Sequence, residues 1–380
     1  MKNLGFGMMR LPVKNGNAQD FDYEELNKMV DTFLEAGYTY FDTSFVYHEG
    51  HSEDAVREAL VKRHPRDSYT IADKFPTFNN VPEEEADGLF ESQLKKVGVD
   101  YFDYYLMHNV QTVLYDGIDG NGGVIKKTRL FEHMKKWKEE GKIRHIGISF
   151  HSSADLLDRV LTEHPEIEFV QIPLNPVDWG SEFVQAGKCY DVIRRHGRKV
   201  IVMETVKGGG LSYLPAEAEK ILKDLHPDWS IASWSVRFAL GLPDVIAVLS
   251  GMSNEEQMQD NIHASDDAKA LTEEEKKALR RAMEIYRENK PIPQSQIDTY
   301  KGLTWNHVPV TGILQAYSIC QIQPNPAFSD DNNYFKNVLA EKAHLDLFGD
   351  LPEQEVRTAD GEDITYLVEK AVRWLKKHSF

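Results

Sequence analysis

The segment YFDTSFVYHEGHSE, residues 40–53, places Asp42 and Tyr47 where an apolar, β-favouring run gives way to polar residues. Two later runs end in the same manner, TIADK at Lys74 and YYLMH at His108. These four residue types make a coherent proton-transfer set. A tyrosine can protonate a carbonyl oxygen as hydride reaches its carbon, but with an ordinary pKa of ~10 it donates slowly unless a cation lowers that value. Lys74 can supply the charge. Burial would tend to strip the ammonium of its proton, so a paired carboxylate, Asp42, is needed to hold it charged and oriented. His108 can then donate a hydrogen bond to the same oxygen. Singly, each residue has a plainer reading: a turn-forming Asp, a packing Tyr, a satisfied strand-end His. Their joint occurrence at three successive strand ends carries the functional reading.

The elements that must position them alternate along the chain. Leu26, Met29, Val30, Phe33 and Leu34 share one helical face that stops at Gly37, and the strand YTYFD follows. Further strands are expected at LGFGMM, SYTIADK, YFDYYLMH, IRHIGIS, IEFVQI, KVIVME and DVIAVLS, separated by amphipathic stretches such as LFESQLKKVG, LFEHMKKWKEEG and SADLLDRVLTEH. About eight βα units argue for a closed (β/α)₈ TIM barrel of class α/β, in preference to an open doubly wound sheet. In such a barrel the polar residues at the C-terminal ends of strands converge on one face, which makes Asp42, Tyr47, Lys74 and His108 neighbours. Thr272 and Glu275 have capping-box spacing at the start of the last barrel helix. The barrel is expected over residues 1–290. Residues 291–380 form a C-terminal extension, helical and irregular, in which only DITYLVEKAVRWLKK has clear helical periodicity.

Composition narrows the function classes. The 380 residues include 44 basic and 61 acidic side chains, a formal charge of −17, which repels nucleic acid and anionic lipid surfaces. No apolar run approaches the roughly 20 residues that span a bilayer, and MKNLGFGMMRLP has no signal-peptide pattern, so a cytoplasmic protein without membrane or nucleic-acid partners is expected. Cys189 and Cys320 lack the spacing of a metal site, and no metal is expected.

The stretches LGFGMMRLP, FDTSFVYHEGHSE, ADK, LMH, GKIRHIGIS, FVQI and GMSNEEQMQDN together resemble the aldo-keto reductases over roughly residues 4 to 290. The resemblance implies a catalytic tetrad of Asp42, Tyr47, Lys74 and His108, with Tyr47 as general acid and base, and a nicotinamide cofactor, NADP or NAD, bound without a Rossmann fold. By the same resemblance, Gly7 and Met8 lie against the cofactor and Ser149 and Gln171 hold the nicotinamide carboxamide. Glu204, Thr205, Lys207 and Gly208 belong to the loop around the pyrophosphate. Gly251, Met252 and Ser253 precede a helix at the adenosine phosphate, with Gln257 and Asn261 facing the adenine. Two positions depart from the family: Phe150 replaces the usual asparagine beside Ser149, and Glu255 and Glu256 stand where NADP-preferring members carry an arginine.

GISFH, METVKGG and LSGMSN are similar to a bacterial subgroup with a C-terminal ferredoxin-like iron–sulfur module. A cluster needs about four ligands. Only Cys320 lies in this extension, so a degenerate module or an unrelated appendage is expected, with no iron–sulfur cluster. The function implied is NAD(P)H-dependent reduction of an aldehyde or ketone, sugars included, or the reverse reaction. A cofactor-binding sensor with little turnover is the alternative in another class, and a barrel hydrolase is disfavoured because Asp42 has no second carboxylate partner. The loop after His108 and the extension are expected to shape the substrate pocket, with Trp179, Trp305 or Tyr115 as wall residues. Oligomeric state is not legible.

Overall fold

The β-branched and aromatic runs form eight parallel strands: β1 (Leu4–Gly7), β2 (Tyr40–Asp42), β3 (Thr70–Pro76), β4 (Phe102–Val110), β5 (Ile143–Phe150), β6 (Phe169–Pro173), β7 (Lys199–Met203) and β8 (Val245–Ser250). Each pairs with the next, and β1 pairs with β8, Leu4 opposite Val248, so the sheet closes into a barrel. The structure is a computed structural model that describes residues 2–266, 268–322 and 330–379.

Side chains fill the barrel interior. Tyr40, Leu106, Phe169, Ile201 and Leu249 from β2, β4, β6, β7 and β8 meet there with Ala72 and Ala247. Phe169 fits only because β5 carries Gly147 opposite it: a Cβ at residue 147 would lie 2.3 Å from the Phe169 ring. Burying a phenylalanine or leucine of this kind contributes about 1.5–3 kcal/mol. The floor beneath the catalytic face is therefore solid, and the site must be built above it.

Helices cover the outer faces of the strands. The first, Tyr23–Glu35, is capped by Asp22 and buries Leu26, Met29, Val30 and Phe33 of the face read from the sequence, with Leu34 half-buried. The last barrel helix, Glu273–Glu288, has the expected capping box: Thr272 Oγ1 accepts from the Glu275 backbone N–H, and Glu275 Oε2 accepts from that of Thr272. No helix among the described residues is long and apolar enough to cross a membrane.

Beyond residue 290 the chain is more regular than its sequence suggests. Helices Gln294–Asp298, Val310–Cys320, Asp330–Ala343 and Thr365–His378 follow, with a short antiparallel pair of Thr304–Trp305 and Val308–Pro309. Helix Val310–Cys320 escapes the periodicity test because all its side chains except Gln315 are buried, leaving no polar face. Helix Asp330–Ala343 escapes it for the opposite reason. It is rich in Asn and Asp and draws stability from tertiary hydrogen bonds, such as Asn337 Nδ2 donating to the His151 carbonyl at 2.6 Å.

The extension shares one continuous core with the barrel, Val310, Ile313 and Leu314 joining residues of β4 to β7. Gly312 lies against Phe183, whose ring would be 2.2 Å from a Cβ there, and Thr311 Oγ1 donates to Glu182 Oε2. The covering region is thus fixed over the loops that follow β5 and β6.

Candidate active site

Asp42 is the last residue of β2, in register with Gly7 on β1 and Ala72 on β3. Lys74 lies on β3 opposite Leu106, and His108 is on β4 opposite Pro76, just where the pairing of β4 with β5 shifts between Met107 and Val110. All three side chains come from the C-terminal half of the barrel, the end at which catalytic groups gather in this architecture. Tyr47 begins the tight turn Tyr47–Gly50, in which His48 and Glu49 take left-handed backbone angles, φ 52° and 55°. Two His48 bonds hold that turn. Its Nε2 accepts from the Leu11 N–H at 3.0 Å, which leaves Nδ1 to donate to the Ala18 carbonyl at 2.9 Å.

The four expected tetrad residues converge. Lys74 Nζ donates to Asp42 Oδ1 at 2.7 Å and to the Thr43 carbonyl at 2.6 Å, fully buried. The same nitrogen stands 4.8 Å from the centre of the Tyr47 ring. The rings of Tyr47 and His108 meet edge to face with centres 6.0 Å apart. Ser44 Oγ lies 3.0 Å from His108 Nδ1; when the hydroxyl donates to Nδ1, the ring proton sits on Nε2.

Electrostatics follow from burial and from this geometry. Burial alone would lower the Lys74 pKa, but Asp42 and then Tyr47 outweigh it and the ammonium is held above its ordinary value. Burial raises the Asp42 carboxyl, against the pull of Lys74. Burial also lifts Tyr47 above its ordinary value, while Lys74 draws it back. The sequence reading expected only the downward pull of the lysine. The net direction is upward because desolvation of the phenolate exceeds that pull. His108 is pushed well below its usual value, first by burial and then by Lys74 and His151, and so is neutral.

Above these groups lies a cleft of about 620 Å³, lined by Tyr47 and His108 at one part and by Gln171, Met203 and Glu204 at another. Gln171 Oε1 is buried with no hydrogen-bond partner, while its Nε2 faces Met203 Sδ at 3.5 Å. Ser149 Oγ is 3.1 Å from His151 Nε2. An unpaired acceptor beside a hydroxyl is what a primary carboxamide needs, so these residues fit a nicotinamide. A second cleft of about 250 Å³ is lined by Glu204, Thr205, Gly208, Gly251, Ser253, Gln257 and Asn261 among others. Glu204, Leu249, Gly251 and Arg10 line both clefts and form the boundary between them.

Several expected cofactor contacts are placed elsewhere. Lys207 does not face the second cleft: its buried Nζ lies between Asp178 and Asp331, at 2.8 and 2.7 Å, and joins the loop after β7 to the extension. A buried ammonium must find carboxylates, and these two hold it. The side chains of Met8 and Met252 are wholly buried in the apolar core, leaving only backbone for a ligand, and the Met8 carbonyl already accepts from Ser52 Oγ. Thr205 Oγ1 donates to the Leu249 carbonyl, Gln257 Oε1 accepts from the Ser253 N–H, and Asn261 Nδ2 donates to Ser250 Oγ, so each also supports its own loop. Phe150 is buried in the core and presents no amide group.

None of the three expected aromatic wall residues lines the large cleft. Trp179 packs on Tyr190 and Phe238, Trp305 is buried within the extension, and the Tyr115 hydroxyl donates to Glu163. The wall is instead made by Val46, Phe78, Asn109, His151 and Asn333. Asn109, near the end of β4, directly follows His108 and Asn333 comes from the extension, so both expected regions contribute, through amides and not through aromatics. His151 had a visible signal in GISFH, but Asn333 had none.

Comparison with known proteins identifies the family. The pattern of the Aldo/keto reductase family matches residues 3–284. The chain is 26% identical to "Uncharacterized oxidoreductase YqkF" of Bacillus subtilis (strain 168) over 73% of its own length and 92% of that protein's. It is also 26% identical to the "NADH-specific methylglyoxal reductase" of Escherichia coli (strain K12), over 66% of this chain and 88% of that one. A solved aldo-keto reductase of Klebsiella pneumoniae in complex with NADPH shares the fold with a TM-score of 0.58 at 20% identity, covering 73% of this chain and 90% of that one. The chain therefore belongs to the aldo/keto reductase family and is an oxidoreductase.

Proposed function

We propose that this chain reduces an aldehyde or ketone to the alcohol with a reduced nicotinamide dinucleotide, Tyr47 acting as general acid. The observation that carries the reading is the meeting of Tyr47, Asp42 and His108 in one cleft that also holds the unpaired Gln171 Oε1, with buried Lys74 bonded to Asp42 behind them. When bound, the cofactor supplies the hydride. Gln171 and Ser149 hold and orient the carboxamide, and Tyr47 and His108 Nε2 direct two donors toward a carbonyl oxygen. As negative charge develops on that oxygen, the Tyr47 proton moves to it, and the resulting phenolate is stabilised by Lys74, whose own charge Asp42 secures. In the reverse direction the same phenolate accepts the alcohol proton.

The relatives leave both cofactors within this reading, since one is named for NADH and another was solved with NADPH. Local charge favours tolerance of NADH. The Ser253 N–H is taken by Gln257, the Glu255 N–H is taken by the Glu25 carboxylate at 2.8 Å, and Glu255 and Glu256 add negative charge at that helix start. At the substrate end, Phe78 offers an apolar face and Asn109 and Asn333 offer amides, a lining suited to a small hydroxylated carbonyl compound. Following the absorbance of NADH and NADPH with a panel of aldehydes, ketones and aldoses tests the function. Tight cofactor binding without oxidation by any member would favour a sensor instead.

A further inference from the structure

A dinucleotide that joins the two clefts must cross the boundary formed by Arg10, Glu204, Leu249 and Gly251. The segment that crosses is its diphosphate, midway between nicotinamide and adenosine, with two negative charges. The second cleft offers little to meet them. Of the residues described as lining it, Glu204 and Asp260 are acidic and Arg10 alone is basic. Lys207, the cation nearest in sequence to the glycine-rich loop, is committed to Asp178 and Asp331.

Arg10 follows β1 and extends across the end of β8. Its Nη1 lies 3.4 Å from the position a Cβ of residue 251 would occupy, so the guanidinium covers the bare backbone of Gly251. Its Nη2 is 4.0 Å from Glu204 Oε1, with the arginine side chain 37% exposed. An ion pair this long and this accessible is weak and readily exchanged. A phosphate offers the planar fork two oxygens at once, a stronger arrangement than one distant carboxylate oxygen.

We infer that Arg10 is the residue that binds the cofactor diphosphate, leaving Glu204 to do so as the dinucleotide crosses Gly251. This inference rests on the proposed use of a nicotinamide dinucleotide. It assigns the charge-neutralising role to the loop after β1, not to the loop after β7. Glu204, which lines both clefts, then keeps its charge at the boundary, from which it acts on Tyr47.

The test is equilibrium binding, read by protein fluorescence and by calorimetry, for the full chain and the variants Arg10→Met and Arg10→Lys. Arg10→Met is expected to raise Kd at least tenfold, and by the same factor, for NADH, NADPH and ADP-ribose, which retains the diphosphate and lacks the nicotinamide. Arg10→Lys should lie between the two, and the dependence of log Kd on log salt should be shallower in the methionine variant than in the native chain. Circular dichroism and melting temperature establish that the variants are folded. A Kd for NADH and ADP-ribose within twofold of native would overturn the assignment. So would a loss confined to NADPH, which would place Arg10 at the 2′-phosphate. If the native chain binds none of the three, the parent reading fails and not merely the role of Arg10.

Discussion

Lys74 Nζ and Asp42 Oδ1 meet at 2.7 Å with both side chains sealed from solvent, while Asp42 Oδ2 is buried without a hydrogen-bond partner. The carboxylate is therefore under-satisfied except for the one cation it holds. Removing its charge leaves the ammonium alone in a low-dielectric site, a change that costs about 3–5 kcal/mol in comparable buried pairs. Asp42→Asn should lower the melting temperature and depress the Lys74 pKa. Activity should then become limited by loss of the Lys74 proton at a lower pH, moving the alkaline limb of kcat/KM downward. An unchanged pH profile would show that Asp42 does not control the charge on Lys74.

Tyr47 faces the cleft with Lys74 beneath it and His108 beside it. General acid catalysis contributes typically about 10²–10⁴ in rate. Tyr47→Phe keeps the ring and its packing but removes the proton, so kcat should fall by about 10² or more while the Kd of the reduced cofactor stays close to native. Near-native turnover would remove Tyr47 from its role.

Cofactor choice depends on the start of helix Glu255–Asp266. A helix N-terminus contributes about 0.3–1 kcal/mol toward an exposed anion, and Glu25, Glu255 and Glu256 oppose it. NADH should be accepted with no more than about a tenfold disadvantage, equivalent to about 1.4 kcal/mol. Parallel fluorescence titrations decide it. A preference for NADPH beyond about a hundredfold would require a basic group at the ribose phosphate that these residues do not provide.

The barrel was legible because polar residues close several of its strands, as Asp42 closes β2, and amphipathic stripes separate them, as Leu26, Met29, Val30 and Phe33 do. Asp42, Tyr47, Lys74 and His108 were legible for the same reason: strand ends in a barrel point to one place. The direction of the Lys207 side chain was not legible, because of its two partners, Asp178 and Asp331, the second is far away in sequence. Arg10 was overlooked although MMRLP was read, since nothing in the sequence says that its side chain crosses to β8. Asn333 stood in a stretch without periodicity, and its position over the cleft is a product of tertiary packing alone.

Lys290 lies at the seam between the last barrel helix and the extension, 6% exposed, its Nζ without a hydrogen-bond partner and 3.4 Å from the centre of the Tyr286 ring. Burial, with the Lys207 charge adding to it, pushes the amine down from its ordinary 10.5 to about 6. Between those two values the unfolded chain holds a proton that the folded chain does not. Stability is therefore full above pH ~10.4, falls as pH drops toward 6, and levels off once the folded amine is also protonated. Lys290→Met keeps the aliphatic length and removes the titration, so at pH 7 it should stabilise the fold by about 1–3 kcal/mol, the scale for relieving an unpaired buried polar group. Its advantage over the native chain should shrink steadily in urea melts as pH rises from 7 to 10. A variant less stable than native at pH 7, or a difference that does not vary with pH, would mean that the Tyr286 ring and the nearby carboxylates already hold the ammonium in its charged form.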